Sequence, residues 1–249
     1  AICYFKQWSA KLKTMKKHHF LLMIFTGAVL SVLLSSCRDS GKSNVELLNE
    51  AMIKVQSGDW KGGLAAAEKA AGRNERDIPA QVMYGLALTG NGNPAKALQV
   101  YRQAVKNDPE NFYAWYFLGE ALYRDGKLED CLEPLRQAER IRPQDADTLI
   151  LLAQVESRMK LDSAVMSLKK LAVNKRFSGK PEPWNQIGVY YFNRKEYPLA
   201  GKCFSQAVRL NSESYIPVYN LAVFSDHYAG TTVARRNAVL YYRRFLQLT

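Results

Sequence analysis

The sequence is poor in the residues on which metal sites and nucleophilic enzymes depend. It has only four cysteines and three histidines in 249 residues. So few cysteines exclude a disulfide scaffold, because such scaffolds are short and dense in cysteine. Beyond Cys37 the sequence has one histidine, His227, which argues against a histidine-rich metal centre or a histidine-activated nucleophile.

The motifs of nucleotide-binding and hydrolytic enzymes are also absent from the sequence. It contains no Gly-x-Gly-x-x-Gly, no His-Glu-x-x-His and no Gly-x-Ser-x-Gly. Gly41-Lys42-Ser43 shares the ending of a phosphate-binding loop, but that loop needs another glycine where Ser36 stands. We therefore predict that the protein is not an enzyme and that it has no cofactor, no metal and no small-molecule substrate.

Acidic residues are fewer than basic ones, and the imbalance is uneven along the chain. The sequence has 35 lysines and arginines against 23 aspartates and glutamates, a formal net charge of +12. Residues 1–37 contain five lysines and no acid, residues 38–145 are nearly balanced, and residues 146–249 contain 15 basic and 7 acidic residues. Basic regions of this kind are typical of contacts with nucleic acid, a membrane surface or an acidic partner.

Long apolar runs are scarce, and the longest lies near the start of the chain. Residues 20–34 form a run of 15 residues behind the basic residues 15–17, Met-Lys-Lys. The run is shorter than the roughly 20 residues that span a bilayer and is typical of a secretory signal. An export signal argues against nucleic acid as the partner.

Residues 34–37, Leu-Ser-Ser-Cys, resemble the bacterial lipoprotein signal. The resemblance implies that the Cys37 sulfur receives a diacylglyceryl group, that the chain is cut before Cys37, and that the new amino group is acylated. We interpret residues 1–14 as a non-native upstream extension, 15–36 as the signal peptide and 37–43 as a tether. The alternative is an uncleaved signal anchor. Arg38, rather than an aspartate, follows the cysteine, which by the resemblance favours the outer membrane, facing the periplasm.

The remaining chain repeats itself with a period of 34 residues, the mark of a repeat architecture. The period is carried by three glycines, three alanines and two prolines, namely Gly58, Gly92, Gly126, Ala70, Ala104, Ala138, Pro109 and Pro143. The pattern resembles the tetratricopeptide repeat, a pair of antiparallel helices, on the strength of Trp115, Leu118, Gly119, Leu122, Cys131, Leu135 and Ala138, and again of Trp184, Ile187, Gly188, Tyr191, Tyr197, Ala200, Phe204 and Ala207.

This resemblance implies an all-α fold: an α-solenoid of about six helix-turn-helix repeats wound as a right-handed superhelix over residues 44–249. We place the repeats at 44–77, 78–111, 112–145, 146–180, 181–214 and 215–249. Each hairpin buries its apolar face only by stacking on the next. Glycines on the first helix (Gly85, Gly119, Gly188) are expected to let the two helices of a hairpin approach closely. Tyr101, Leu135 and Phe204 are expected to fill the space between neighbouring repeats.

In this family the first helices line a concave groove, so we predict a partner-binding groove there. The positions implied by the resemblance are Tyr113, Tyr116, Glu120, Tyr123, Asn185, Val189, Phe192, Tyr219, Val223 and His227. The alternative for the tyrosines is packing between repeats, and for His227 a polar loop position. One subfamily clamps a carboxylate with lysines, asparagines and an arginine, and Tyr116, Glu120 and Asn185 do not supply that set.

Two further clusters of reactive residues receive structural interpretations. Cys131 and Cys203 are expected to be small buried hydrophobic residues rather than a redox pair. The acidic residues Glu129, Asp130 and Glu133 are expected to form a solvated helix face.

The leading hypothesis is a lipid-anchored scaffold of the bacterial cell envelope that holds another envelope protein or peptide segment through the groove. Envelope complex assembly, secretion and pilus biogenesis are the candidate pathways, and the layout resembles the pilotin lipoproteins. The alternative is a contact between the basic C-terminal half and cell wall or anionic lipid, through the basic patch Arg235, Arg236, Arg243 and Arg244. Because the last helix keeps an apolar stripe, we also expect either a longer natural chain or a partner docked on it.

Overall fold

The structure is a computed structural model that describes residues 41–228 and 230–249. These residues form twelve α-helices, and no strand occurs among them. In chain order, helices α1 to α12 are Asn44–Ser57, Trp60–Arg73, Ile78–Gly90, Pro94–Asn107, Phe112–Arg124, Leu128–Ile141, Ala146–Arg158, Ser163–Val173, Pro181–Asn193, Tyr197–Leu210, Tyr215–His227 and Thr232–Leu248. The prediction of an all-α repeat solenoid is confirmed.

The helices pack as hairpins within two compact units, one ending at Ile141 and the other beginning at Arg142. The first unit contains the hairpins α1/α2, α3/α4 and α5/α6, and the second contains α7/α8, α9/α10 and α11/α12. Short connections make the two helices of a hairpin antiparallel neighbours. Within each unit the second helix of one hairpin packs on the first helix of the next. The repeat boundaries and the superhelical hand stay predictions.

The hairpin turns share one backbone geometry. In the third hairpin Gly126 has a φ of 81°, and the next N–H, that of Lys127, donates to the Leu122 carbonyl at 3.1 Å. This left-handed residue with its long backward hydrogen bond is a common way to end a helix. The left-handed positions recur at Gly58, Gly92, Gly126, Lys160, Lys195 and Gly230.

Helix starts and stops follow the sequence period. Asp77, Asn111 and Asp145 lie 34 residues apart, and each side chain accepts a hydrogen bond from a backbone N–H in the first turn of α3, α5 or α7. Such caps satisfy donors that the helix itself leaves without a partner. Pro109 and Pro143 each lie two residues beyond the end of a second helix, where proline prevents continuation.

The glycines of the first helices make room for one large side chain each. A Cβ added at Gly119 would lie 2.6 Å from Leu135 Cδ2, and one at Gly85 would lie 2.4 Å from Tyr101 Cε1. Real Cβ atoms do not approach this closely, so the close packing inside these two hairpins requires glycine. Tyr101 also stacks on Phe117 of the next first helix, with ring centroids 5.8 Å apart. Close helix approach is thus confirmed at Gly85 and Gly119, and the prediction that Tyr101 fills the space between repeats is confirmed by its contact with Phe117.

The fourth hairpin is shorter than the others and is followed by an ordered loop. Its second helix, α8, has 11 residues. Beyond it the amide of Asn174 is buried and donates to the Gln144 carbonyl at 2.8 Å. Phe177 is buried as well, and Arg176 pairs with Asp147 at 2.9 Å. The loop after α8 is therefore held by side chains that reach back to the start of α7.

Candidate functional site

The first helices present the surface on which the sequence predicts partner binding. Within the first unit α1 contacts α3 and α3 contacts α5, and within the second unit α9 contacts α11. Neighbouring first helices can therefore offer one continuous surface inside a unit. The predicted contact residues form two sets, one on α5 in the first unit and one on α9 and α11 in the second.

Three predicted residues on α5 keep part of their side chains at the surface. Tyr113, Glu120 and Tyr123 are all half-buried. The Tyr113 ring packs edge-on against Phe112, with centroids 5.2 Å apart, so its orientation is fixed. A tyrosine held in this way offers apolar area and a hydroxyl to a partner at low cost in side-chain entropy.

Tyr116 requires a correction, because it does not offer a contact surface. Its side chain is only 3% exposed. The ring stacks on Phe112 at 5.9 Å and meets Phe117 edge-on at 5.3 Å. The residue lies on the predicted helix face, but aromatic neighbours on α5 itself cover it. Tyr116 is therefore part of the packing, which is the alternative that the sequence left open for the tyrosines.

The charged residue of this face is already paired. The side chain of Glu120 is 14% exposed, and its Oε1 lies 2.9 Å from Arg124 Nη2, one helical turn away. The carboxylate charge raises the pKa of Arg124. Burial raises the pKa of Tyr101, and the nearby Glu120 charge adds to that shift. Because Arg124 offsets the charge of Glu120, rings and hydroxyls are the main groups that the predicted residues of α5 expose.

In the second unit the predicted residues combine apolar packing with one exposed histidine. Val189 and Phe192 on α9 pack against the buried core of the unit. Tyr219 on α11 lies 5.1 Å from the Phe245 ring, measured between centroids. Farther along α11, Val223 is half-buried and His227 is exposed. These side chains lie on the neighbouring first helices α9 and α11.

Asn185 is the second predicted contact that the structure corrects. It is only 5% exposed, and its Oδ1 accepts a hydrogen bond of 2.8 Å from Asn220 Nδ2 on the next first helix. A buried amide of this kind needs its partner, because an unmade hydrogen bond in the interior is costly. Asn185 therefore joins α9 to α11.

An aromatic cluster at one end of this surface was missed by sequence reasoning. The rings of Tyr197 and Tyr228 stack with centroids 4.4 Å apart, and Phe192 meets Tyr228 edge-on at 4.8 Å. Tyr228 is 40% exposed. It follows the last residue of α11, and Tyr197 is the first residue of α10. Helical periodicity does not report such terminal positions, so the sequence carried no signal for the cluster.

The predicted basic patch lies on α12 and is accessible. Arg235, Arg236, Arg243 and Arg244 are all exposed. Arg244 donates from Nε to the Ser212 carbonyl at 2.7 Å, so it is tied to the preceding loop. Among the described residues, 41–228 and 230–249, no ion pair involves Arg235, Arg236 or Arg243. Four exposed apolar residues share the helix, namely Val233, Val239, Leu240 and Leu246.

The remaining sequence predictions on chemistry concern cysteines, metals and membranes. Cys131 and Cys203 are buried free thiols, as expected, and burial raises the pKa of Cys131 to about 11. Across the described part of the chain no group of histidine, cysteine and acidic residues is arranged to hold a metal. None of the twelve helices described has the length and apolarity to cross a membrane. Cys37, the predicted lipidation site, lies outside the described residues.

Several known proteins share this architecture. A family model for the tetratricopeptide repeat matches residues 82–146. The solved structure of Pseudomonas aeruginosa PilF is similar, with a TM-score of 0.62 and 16% identity over 82% of this chain and 91% of that one. The TPR protein YrrB, whose structure is described as having an unusual peptide-binding site, has a TM-score of 0.61 and 17% identity over 74% and 92% of the two chains.

One curated protein is similar to this chain in sequence. The BBSome complex member BBS4 of Bos taurus is 25% identical over 199 residues, which cover 73% of this chain and 38% of that protein. The chain thus matches well under half the length of this relative. The fold defines the class, which is a helical-repeat solenoid. The tetratricopeptide-repeat model covers residues 82–146, and the likeness to PilF extends the same helical-repeat fold over 82% of this chain.

Proposed function

We propose that this protein is a lipid-anchored interaction scaffold of the bacterial cell envelope, at the outer membrane and facing the periplasm. It holds a partner protein or peptide segment on the surface of its first helices. Envelope complex assembly, secretion and pilus biogenesis are the processes that such a scaffold serves. The likeness to PilF and YrrB supports a binding role, and the sequence around Cys37 supports the anchor.

One observation carries the binding proposal: the first helices of the first unit, and α9 and α11 of the second, touch one another and present half-buried rings and apolar side chains. On α5 these are Tyr113 and Tyr123, and on α11 they are Tyr219 and Val223. Rigid aromatic side chains at a surface are the residues on which binding energy concentrates in protein interfaces. We therefore expect the partner to contact rings on the first helices.

Affinity capture from envelope extracts tests the proposal. We expect Tyr113→Ser with Tyr123→Ser to reduce recovery of the bound partner about tenfold or more, because two hot-spot rings are lost. The matched control is Val239→Ser, since Val239 is a half-exposed apolar residue on a second helix. Circular dichroism must show equal helix content for all variants. Undiminished capture by the double variant, with the fold intact, would contradict the proposal.

The anchor is tested separately through Cys37. Mass spectrometry of the native protein should find Cys37 at the N-terminus carrying acyl chains. Cys37→Ser should abolish acylation and the cut before position 37, because serine has no sulfur to receive the diacylglyceryl group. An unmodified thiol at Cys37, or residues 15–36 still attached, would sink this part of the proposal without touching the binding surface.

The alternative function is a contact of the basic C-terminal half with anionic lipid or cell wall. It is favoured by α12, which has four arginines and no acidic residue, with exposed Val239 and Leu240 beside them. Flotation with vesicles of anionic phospholipid tests it. Binding that falls steeply between about 50 and 300 mM salt, and that is lost in Arg236→Glu with Arg243→Glu, would support this alternative.

A further inference from the structure

A second surface of the second unit has the features of a binding site, and no first helix contributes its rim. It is a groove of about 570 Å³ that runs between the second helices α10 and α12, with α11 as its floor. Its volume lies in the range of ordinary ligand sites. The lining includes Lys202 and Arg209 on α10, Leu221 and Phe224 on α11, and Asn237 and Tyr241 on α12.

The floor of the groove is apolar. Leu221 is buried and Phe224 is half-buried, and both line it. A Cβ at Gly201 would lie 2.5 Å from Phe224 Cε1, so the glycine lets the ring rest directly against α10. A ligand that enters the groove therefore meets an aromatic ring and aliphatic carbon, which favours a ligand with apolar side chains.

The rim of the groove is positively charged and carries no acid. Lys202 and Arg209 are exposed and seven residues apart, so they lie two helical turns and about 10 Å from one another on one face of α10. Lys202 makes no ion pair among the residues that the structure describes. Neither α10 nor α12 contains an acidic residue. The nearest acids in sequence, Glu196, Glu213 and Asp226, do not line the groove.

The basic rim is a feature of this groove and is not a general property of the repeat fold. In the first unit an equivalent groove of about 490 Å³ lies between α2 and α4 over α3. Its rim carries Glu68 and Glu75, and its lysine, Lys96, lies 3.6 Å from Glu68. The same architecture thus gives a mainly acidic groove in one unit and a wholly basic one in the other. The charge of the groove in the second unit is therefore complementary to a negatively charged ligand.

We propose that the groove between α10 and α12 binds an extended, acidic segment of a partner protein. In an extended chain of polyproline II conformation, side chains three residues apart lie on one face and about 9 Å from one another, which matches the spacing of Lys202 and Arg209. Apolar side chains between the two acids would reach Phe224, and the side chains of Asn237 and Tyr241 can pair with the peptide backbone. A bilayer surface is flat and does not reach a floor between two helices, and a phosphate backbone brings no apolar group to it.

Fluorescence anisotropy with a labelled peptide tests the proposal on the full chain in detergent. The probe is a short peptide with two glutamates three positions apart and leucines around them. We expect Lys202→Glu with Arg209→Glu to weaken binding at least about tenfold, since two attractive charges become repulsive. Asn237→Trp, which fills the groove without changing charge, should weaken it as well. A probe with glutamine in place of glutamate should bind weakly to the wild-type protein.

The matched control is Arg236→Glu with Arg243→Glu. These residues are also seven apart, exposed and in the second unit, but they do not line the groove. We expect this variant to retain the peptide. Equal loss in both double variants would show attraction to overall charge and overturn the proposal. The proposal is also overturned if the wild-type protein does not bind the peptide. It is overturned as well if reversing the charges of Lys202 and Arg209 abolishes binding to anionic vesicles but leaves peptide binding unchanged.

Failure here is distinguishable from failure of the proposed function, because the two sites use different residues. Val223→Ser with His227→Ser on α11 alters the first-helix surface and leaves the groove lining unchanged. We expect this variant to bind the acidic peptide normally. Loss of peptide binding in this variant would place the peptide on the first helices and overturn the assignment to the groove.

Discussion

At the residue scale, single atoms decide how closely the helices of a hairpin pack. Leu135 Cδ2 occupies space that a Cβ at position 119 would need, 2.6 Å away. The same relation joins Gly188 to Phe204, where the distance to Phe204 Cε1 would be 2.5 Å. The packing role of these glycines was predicted from the sequence, because they occupy equivalent positions in the repeats. The structure adds that Leu135 and Phe204 fill the space inside their own hairpins, whereas the sequence placed them only between neighbouring repeats.

We predict that Gly119→Ala lowers the melting temperature, because the added methyl group overpacks the hairpin at a cost of about 1–3 kcal/mol. The control is Gly72→Ala. Gly72 is exposed near the end of α2, and nothing lies within 4 Å of the position of its Cβ. That variant should be slightly more stable, by roughly 0.5–1 kcal/mol, since alanine favours the helix. Thermal unfolding of the two variants compares them directly, and equal melting temperatures would contradict the assigned contact.

Burial of Cys131 predicts an unreactive thiol. Burial raises its pKa from 9.0 to about 11, and the thiolate is the reactive form. At neutral pH a thiol-specific reagent should label Cys131 only after unfolding by denaturant. Because the folded-state pKa is raised, the stability linked to this group is complete below pH 9 and declines as pH rises through about 11. Rapid labelling of the native protein would contradict this account.

At the element scale, the hairpin turn is the most regular feature of the chain. Its left-handed position is glycine in the first three hairpins but Lys160 and Lys195 in the next two, with φ values of 57° and 63°. The long backward hydrogen bond persists there, from Leu161 N–H to the Glu156 carbonyl at 2.8 Å. The turn geometry therefore persists in the fourth and fifth hairpins, although lysine stands there in place of the glycine that the left-handed conformation favours.

Lys160→Gly should stabilise the protein, because a side chain in the left-handed region costs roughly 1–2 kcal/mol. The greater flexibility of glycine in the unfolded chain offsets part of that gain, so we expect a net gain of about 0.5–1 kcal/mol. The reverse change, Gly126→Lys, should destabilise by a similar amount. Chemical denaturation measures both. A loss of stability in Lys160→Gly would show that the lysine side chain makes a contact that outweighs the strain.

The sequence predicted the elements better than the surface. The 34-residue period locates helices, caps and stops, because glycine, proline and Asp or Asn act locally on the backbone. Burial of a particular side chain depends on what neighbouring residues and helices place over it. Tyr116 and Asn185 occupy the expected helix face, yet Phe112 and Asn220 cover them. The Tyr197–Tyr228 stack needed the ends of two helices to meet, which no helical period reports.

At the scale of the whole molecule, charge distinguishes the two units. The basic excess of the C-terminal half was visible in the sequence, but the sequence could not say which cations are paired within the fold. In the structure Arg176 pairs with Asp147 and Arg194 with Asp162. Lys202, Arg236 and Arg243 make no ion pair among the described residues. The groove and α12 are therefore two positive surfaces of the second unit.

Photo-crosslinking in intact cells tests the central claim, that the first helices bind a partner protein, most directly. A photoreactive phenylalanine analogue would replace Tyr123 on α5 or Tyr219 on α11, and in control chains Lys106 on α4 or Val239 on α12, both of which are exposed. The account predicts that one and the same protein is captured from the two first-helix positions and not from the controls. Capture only from the controls, or from none of the four positions, would contradict it.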